Sequence, residues 1–183
     1  MDNPVLLNKV IEGDIEAYSL LYKEYYRKLY NYGRKFSHDT ALVEDCIQEI
    51  FFDLWSRRDK LKRIDSLNSY LYSAFRYTLI KKLKEQQRLS LREEHEEDAT
   101  FEFSVENVII EQEQNAEDHK SLKEACKFLT PRQYEAIFLR YYEKLSYQEV
   151  ADILKISVKA TYKIMARSIS TLKDNIKLLL FLC

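Results

Sequence analysis

The sequence predicts an all-α protein built from an N-terminal helical bundle and a C-terminal helix-turn-helix domain, joined by an acidic linker. Three observations carry this expectation. Only 2 Gly and 2 Pro occur in 183 residues, too few to punctuate β-turns, so helices joined by polar loops are favoured. Apolar residues recur at helical spacing before residue 90 and again after residue 120. Charge is also segregated: residues 1–88 hold 16 Lys/Arg against 13 Asp/Glu, residues 89–120 hold 2 against 11, and residues 121–183 hold 11 against 6. A net charge of −1 conceals this pattern. The expected organisation is a first domain over 1–89, a linker over 90–120 and a second domain over 121–183.

Leu6, Val10, Ala17, Leu20, Leu21 and Tyr25 share a helical period, with Gly13-Asp14 breaking a short first helix from a longer one over about Glu16 to Phe36. Thr40 to Arg57 reads as one helix whose buried stripe is Val43, Cys46, Ile47, Ile50, Leu54 and the edge of Phe51. Steps of three and four residues gather Asp45, Gln48, Glu49 and Phe52 on its other face. Trp55 is expected in the core. A basic loop from Arg57 to Asp65 leads to a helix from about Ser66 to Arg88. The pattern then fails: Glu93, Glu94, Glu96, Glu97 and Asp98 open the linker, with a transient helix around Val105 to Gln114.

The last 60 or so residues are sharply punctuated. Thr130-Pro131-Arg132-Gln133 offers an N-cap, a Pro at the first helical position and a capping-box Gln, and Ser146-Tyr147-Gln148-Glu149 repeats the box. Val150, Ala151, Ile153 and Leu154 should be buried, Lys155-Ile156 should turn tightly, and Ser157 should cap a helix reaching about Lys173. Two short helices joined by such a turn form the unit whose second helix docks in the major groove. Thr161, Met165, Ser168 and Leu172 should pack inward; Lys159, Tyr162, Lys163, Ala166 and Arg167 form an outward face with no acid. Such a face suits phosphates and base edges. A bundle helix with a solvated basic face carries the same pattern.

Catalysis finds little support. No nucleophile, base and orienting group are grouped, and no Gly-rich phosphate loop occurs. Cys46, Cys126 and Cys183 stand apart from one another and from His38, His95 and His119, so neither a disulfide framework nor a metal site is expected, nor any cofactor. The N-terminus lacks a signal-peptide layout, and the apolar run Leu178 to Leu182 is too short to span a bilayer. The expected setting is the cytoplasm, without membrane insertion.

The stretch LTPRQYEAIFLRYYEKLSYQEVADIL, Leu129 to Leu154, resembles the fourth conserved region of sigma factors, which recognises the minus-thirty-five promoter element. DCIQEIFFDLW, Asp45 to Trp55, resembles their second region, which docks on the clamp of RNA polymerase. Tyr70-Leu71-Tyr72 with Arg76 and Lys81 to Arg88 resembles the segment that handles the minus-ten element. With only these two regions present, the layout is similar to the extracytoplasmic-function group (group IV) of the sigma-70 superfamily. The aromatic- and Lys-rich style is similar to Bacteroides-type members.

The resemblance implies a non-catalytic sigma factor that binds core RNA polymerase and directs promoter-specific initiation. It implies polymerase contacts at Asp45, Gln48, Glu49 and Phe52. Minus-ten contacts fall on Arg58, Lys60, Lys62, Arg63, Tyr70, Tyr72, Arg76, Tyr77, Lys81, Lys84 and Arg88. Minus-thirty-five contacts fall on Ser157, Lys159, Ala160, Tyr162, Lys163 and Arg167. A membrane-anchored anti-sigma factor is a further implied partner. The family commonly has Asn at Tyr77, an acid at Lys81, Thr at Ala160 and Ala at Ser168. These departures keep open a second reading, a helix-turn-helix regulator or sigma mimic that does not initiate transcription.

Overall fold

Apolar residues spaced three and four apart fold this chain into two helical units, described by a computed structural model at residues 4–90 and 122–182. All regular elements among these residues are helical. The linker, its expected helix at Val105 to Gln114, and Cys183 lie outside the described residues.

In the N-terminal unit, α1 spans Pro4–Ile11 and α2 spans Ile15–Gly33. Gly13 separates them at φ +90°, a conformation that side chains rarely adopt. Asp14 then caps α2, its carboxylate accepting from the amides of Glu16 and Ala17. Asp39 caps α3, Thr40–Ser56, in the same way through the Leu42 amide. The basic stretch expected as a loop is a 3-10 helix, Arg58–Arg63, because Leu61 turns inward and anchors it. α4 follows over Leu67–Ser90.

α3 packs against both α2 and α4. Its core face is Val43, Cys46, Ile47, Ile50, Phe51 and Leu54, all at most 5% exposed. Trp55, expected in the core, is half-buried and lies against Tyr18, with ring centroids 4.7 Å apart. α2 stops at Gly33, three residues short of the expected Phe36. A Cβ built on Gly33 would meet Phe75 Cζ of α4 and Val43 Cγ1 of α3, each at 2.7 Å. The three helices close to that point because a hydrogen stands where a methyl would clash.

In the C-terminal unit, a helical segment at 122–126 precedes α5, Pro131–Ile137. Both capping boxes form. Thr130 Oγ1 accepts from the Gln133 amide at 3.3 Å while Gln133 Oε1 accepts from the Thr130 amide at 2.9 Å. Ser146 Oγ accepts from the Glu149 amide at 3.2 Å while Glu149 Oε2 accepts from the Ser146 amide at 2.7 Å. The helix opened by Thr130 is regular only to Ile137, since Phe138–Tyr142 is a π-turn. Next come α6, Tyr147–Leu154, and α7, Val158–Leu182, which continues beyond the expected end near Lys173. α7 packs on α5 and α6.

Two stability predictions follow from this packing. Gly33→Ala should lower the unfolding free energy by about 1–3 kcal/mol, the cost of overpacking a closed core, read by urea denaturation; an unchanged midpoint would show that the helices part freely. Lys35, just past α2, is 6% exposed, and burial pulls its ammonium from 10.5 down to about 8. A folded value below the unfolded one penalises the fold fully below pH 8 and lets stability recover as pH rises toward 10.5. The parent's stability relative to Lys35→Met should therefore rise by on the order of 2 kcal/mol through that window. A gap independent of pH would contradict this.

Candidate functional site

The helical period that buries one side of α3 leaves Asp45, Gln48, Glu49 and Phe52 together on the other, all exposed. Phe52 is 70% exposed, an apolar ring set among carboxylates and an amide. Charged groups around an uncharged centre suit a protein partner better than solvent alone. Glu49 also has a structural tie: Lys82 Nζ of α4 donates to its Oε2 at 2.7 Å. That hydrogen bond raises the Lys82 pKa. Residues 49 and 82 are far apart in sequence, so spacing alone gave no sign of the pair.

The basic segment beside this face divides. Lys60, Lys62 and Arg63 are exposed, with Lys62 in a loose 3.9 Å pair with Asp59. Arg58 is half-buried, its Nη1 donating to the Trp55 carbonyl at 3.2 Å and its guanidinium 5.0 Å from the Trp55 ring centroid. It braces the turn after α3.

Along α4, Tyr70, Tyr77, Lys81, Lys84 and Arg88 fall at steps of seven, four, three and four, hence on one side. Tyr77 is 61% exposed, Lys81, Lys84 and Arg88 are exposed, and Arg76 is half-buried. Tyr70 is half-buried, and burial, with the Asp53 charge adding, raises its phenol pKa. Tyr72 corrects the expectation. It is 1% exposed and packs on Tyr32 with centroids 5.4 Å apart, so it is a core residue unable to meet a base. Two residues along a helix turn through about 200°, so Tyr70 and Tyr72 take opposite sides.

In the C-terminal unit the turn between α6 and α7 is set by Lys155, left-handed at φ 52° and ψ 52°, and by the Ile156 amide donating to the Ala151 carbonyl at 3.0 Å. Ser157 then caps α7, its Oγ accepting from the Ala160 amide at 3.2 Å, which commits the hydroxyl to the helix end. Thr161, Met165 and Ser168 are at most 1% exposed. Their hydroxyls stay satisfied, Thr161 donating to the Ser157 carbonyl at 3.3 Å and Ser168 to the Ile164 carbonyl at 2.8 Å. Outward from this buried face stand Lys159, Tyr162, Lys163, Ala166 and Arg167, all exposed, with Ala160 half-buried at its edge. Tyr162 stacks on Tyr147 of α6, a contact between helices that sequence spacing does not reveal.

Among the described residues no group of His, Cys, Asp and Glu could hold a metal ion, and no helix is long and apolar enough to cross a membrane. Burial pushes the Cys46 thiol up to about 11 and the Cys126 thiol up as well, which keeps both protonated and unreactive.

The model for Sigma-70 region 2 matches residues 21–89, and the model for Sigma-70 region 4 matches residues 127–174. Between them they cover well over half the chain, in the family's order. The chain belongs to the sigma-70 family. Similar curated proteins include the ECF RNA polymerase sigma factor SigK of Mycobacterium sp. (strain KMS), 24% identical over 174 residues that cover 94% of this chain and 90% of that protein. The RNA polymerase sigma factor YlaC of Bacillus subtilis (strain 168) is 21% identical over 155 residues, covering 85% of this chain and 89% of that one. Among solved structures, CnrH in complex with the cytosolic domain of CnrY matches with a TM-score of 0.61 at 18% identity, covering 94% of this chain and 96% of that one. The sigma factor RpoE in complex with the anti-sigma factor NepR from Bartonella quintana matches with a TM-score of 0.55 at 23% identity, covering 82% and 91%. This sigma factor is of the ECF type and serves promoter-specific initiation by RNA polymerase. Its region 2 match takes in the exposed face of α3 and the basic side of α4; its region 4 match takes in both capping boxes and the α6–α7 pair.

Proposed function

We propose that this sigma factor divides its work by helix face. Asp45, Gln48, Glu49 and Phe52 dock on the clamp of core RNA polymerase. Lys60, Lys62, Arg63, Tyr70, Arg76, Tyr77, Lys81, Lys84 and Arg88 handle the minus-ten region, and Lys159, Ala160, Tyr162, Lys163 and Arg167 meet the minus-thirty-five duplex. Ser157 serves the last group by fixing where α7 starts, and Arg58 serves the second by bracing the turn. The observation that carries this reading is the outward side of α7, where two lysines and an arginine stand exposed without an acid beside a buried, internally satisfied face.

Phosphate contacts supply affinity and its salt dependence, whereas hydrogen bonds and apolar contacts to base edges supply sequence preference. On α4 the exposed Tyr77 and half-buried Tyr70 offer ring surfaces for unpaired bases, and the basic groups beside them offer backbone neutralisation. The chain acts as a specificity subunit without chemistry of its own and works in the cytoplasm. Its placement as a group IV, Bacteroides-type member rests on its two-region layout and its composition of 14 Tyr and 9 Phe with abundant Lys.

A protein partner that holds it inactive also belongs to this reading. CnrH and RpoE were each solved as complexes, with the cytosolic domain of CnrY and the anti-sigma factor NepR. For this chain the proposed partner is an anti-sigma factor anchored in the membrane, which masks the docking faces. The Tyr77 and Lys81 departures keep open a second reading, a helix-turn-helix regulator or sigma mimic that binds without initiating.

The test separates the two faces. Asp45→Lys with Phe52→Ala should weaken core-polymerase affinity at least tenfold, since a buried aromatic anchor dominates such interfaces. Thermal stability should barely move, both side chains being exposed in the free protein. Glu49 is avoided because its removal also unpairs Lys82. Lys163→Ala and Arg167→Ala should leave that affinity intact, weaken promoter-duplex binding by the assembled holoenzyme, and each lower its salt slope by about 1. Loss of polymerase affinity in the α7 variants, or unchanged affinity in the α3 variant, would refute the division.

A further inference from the structure

The outward side of α7 carries two kinds of group. Lys159, Lys163 and Arg167 are cations suited to phosphate and, where they reach the base pairs, to the acceptor edge of guanine. Tyr162 and Ala166, one helical turn apart, are uncharged and exposed, Tyr162 at 54%. A tyrosine on an exposed helix face ordinarily samples several rotamers and loses that freedom on binding. Tyr162 has a neighbour that opposes such sampling. Its ring lies 4.1 Å from that of Tyr147, inclined by only 12°. Tyr147 is the first residue of α6, so the stack bridges the two helices of the unit.

Tyr147 is itself held. The Arg140 guanidinium stands 5.0 Å from the Tyr147 ring centroid, a cation–π distance. Arg140 is in turn fixed by its Nη1 donating to the Leu145 carbonyl at 2.8 Å. It sits within the π-turn Phe138–Tyr142, where the extra residue per turn departs from the register of a regular helix; π-turns often mark working parts of a protein. The chain of contacts runs from π-turn to Arg140, to Tyr147, to Tyr162, and ends on an exposed ring among cations.

We propose that Tyr162 is a base-reading residue that packs against the C5-methyl group of a thymine in the major groove, and that Tyr147 and Arg140 are its positioning residues. This rests on the reading of α7 as the minus-thirty-five helix. An apolar ring edge is the natural complement of the thymine methyl, the one apolar group on the major-groove edges of the bases. Ala166 leaves room beside the ring. Preorganisation by stacking reduces the ordering cost on binding and sharpens discrimination.

The test uses the full chain assembled with core RNA polymerase and a duplex library randomised over the upstream element. The parent should select a sequence containing a thymine whose replacement by deoxyuridine weakens binding roughly three- to fivefold, the size expected for one buried methyl group. Tyr162→Ala should bind the thymine and deoxyuridine duplexes alike. Tyr147→Ala should do the same, although Tyr162 is intact, whereas Tyr147→Phe, which keeps the stacked ring, should retain the difference. Lys163→Ala should lose affinity for both duplexes equally, with a smaller salt slope.

Selection of a sequence indifferent to deoxyuridine at every thymine would overturn the inference, as would a Tyr147→Ala variant that still discriminates. In both cases the loss of affinity in Lys163→Ala would leave the proposed role of α7 standing. No selection by the parent, with no effect of Lys163→Ala, would bring down that role and the inference together.

Discussion

Three helices of the N-terminal unit close on Gly33, and the placement of every functional side chain there depends on that closure. With Phe75 and Val43 both 2.7 Å from where a Cβ would stand, α2, α3 and α4 meet at a separation only a hydrogen permits. The approach sets the angle at which α3 is held between its neighbours. It also brings Lys82 of α4 within 2.7 Å of Glu49. Held on two sides, α3 has one face left, and the residues on it include a phenylalanine, carboxylates and an amide. A residue's availability to a partner is thus decided by its place in the 3.6-residue period as much as by its type.

The C-terminal unit reaches the same result with other means. Its helices are short, and capping boxes at Thr130 and Ser146 satisfy amides that packing alone would leave open at their starts. The buried side of α7 includes Thr161 and Ser168, whose hydroxyls return to carbonyls one turn back, so polar residues sit in the core without unmet hydrogen bonds. A left-handed Lys155 completes the turn that a glycine would make more cheaply. These local devices fix the direction of α7 and, with it, the direction of its cations.

Much of this was legible in the sequence because it is local. Caps, the Gly13-Asp14 break, the buried stripe of α3 and three of the four inward residues on α7 (Leu172 is only half-buried) follow from residues within a few positions of one another. The failures share a cause as well. The resemblance groups Tyr72 with Tyr70, yet only packing against Tyr32 shows which of the two is core. Arg58 reads as one more cation of a basic run until Trp55 is folded beside it. The Glu49–Lys82 pair and the Tyr147–Tyr162 stack join residues on different helices, and no period within one helix reports them. The 3-10 turn at Arg58–Arg63 and the π-turn at Phe138–Tyr142 depart from the ideal period itself.

Near-neutral overall charge suits such a protein. Cations gathered on α4 and α7 can attract nucleic acid locally, while the acidic stretch keeps the net charge at −1 and limits indiscriminate binding. Sequence preference then falls to the side chains that reach base edges, and polymerase affinity to a separate helix. Mapping transcripts initiated on genomic templates by core RNA polymerase, with and without the full chain, tests this most directly. A discrete new set of start sites sharing upstream elements is the predicted result; start sites identical to those of the core enzyme alone would contradict the account.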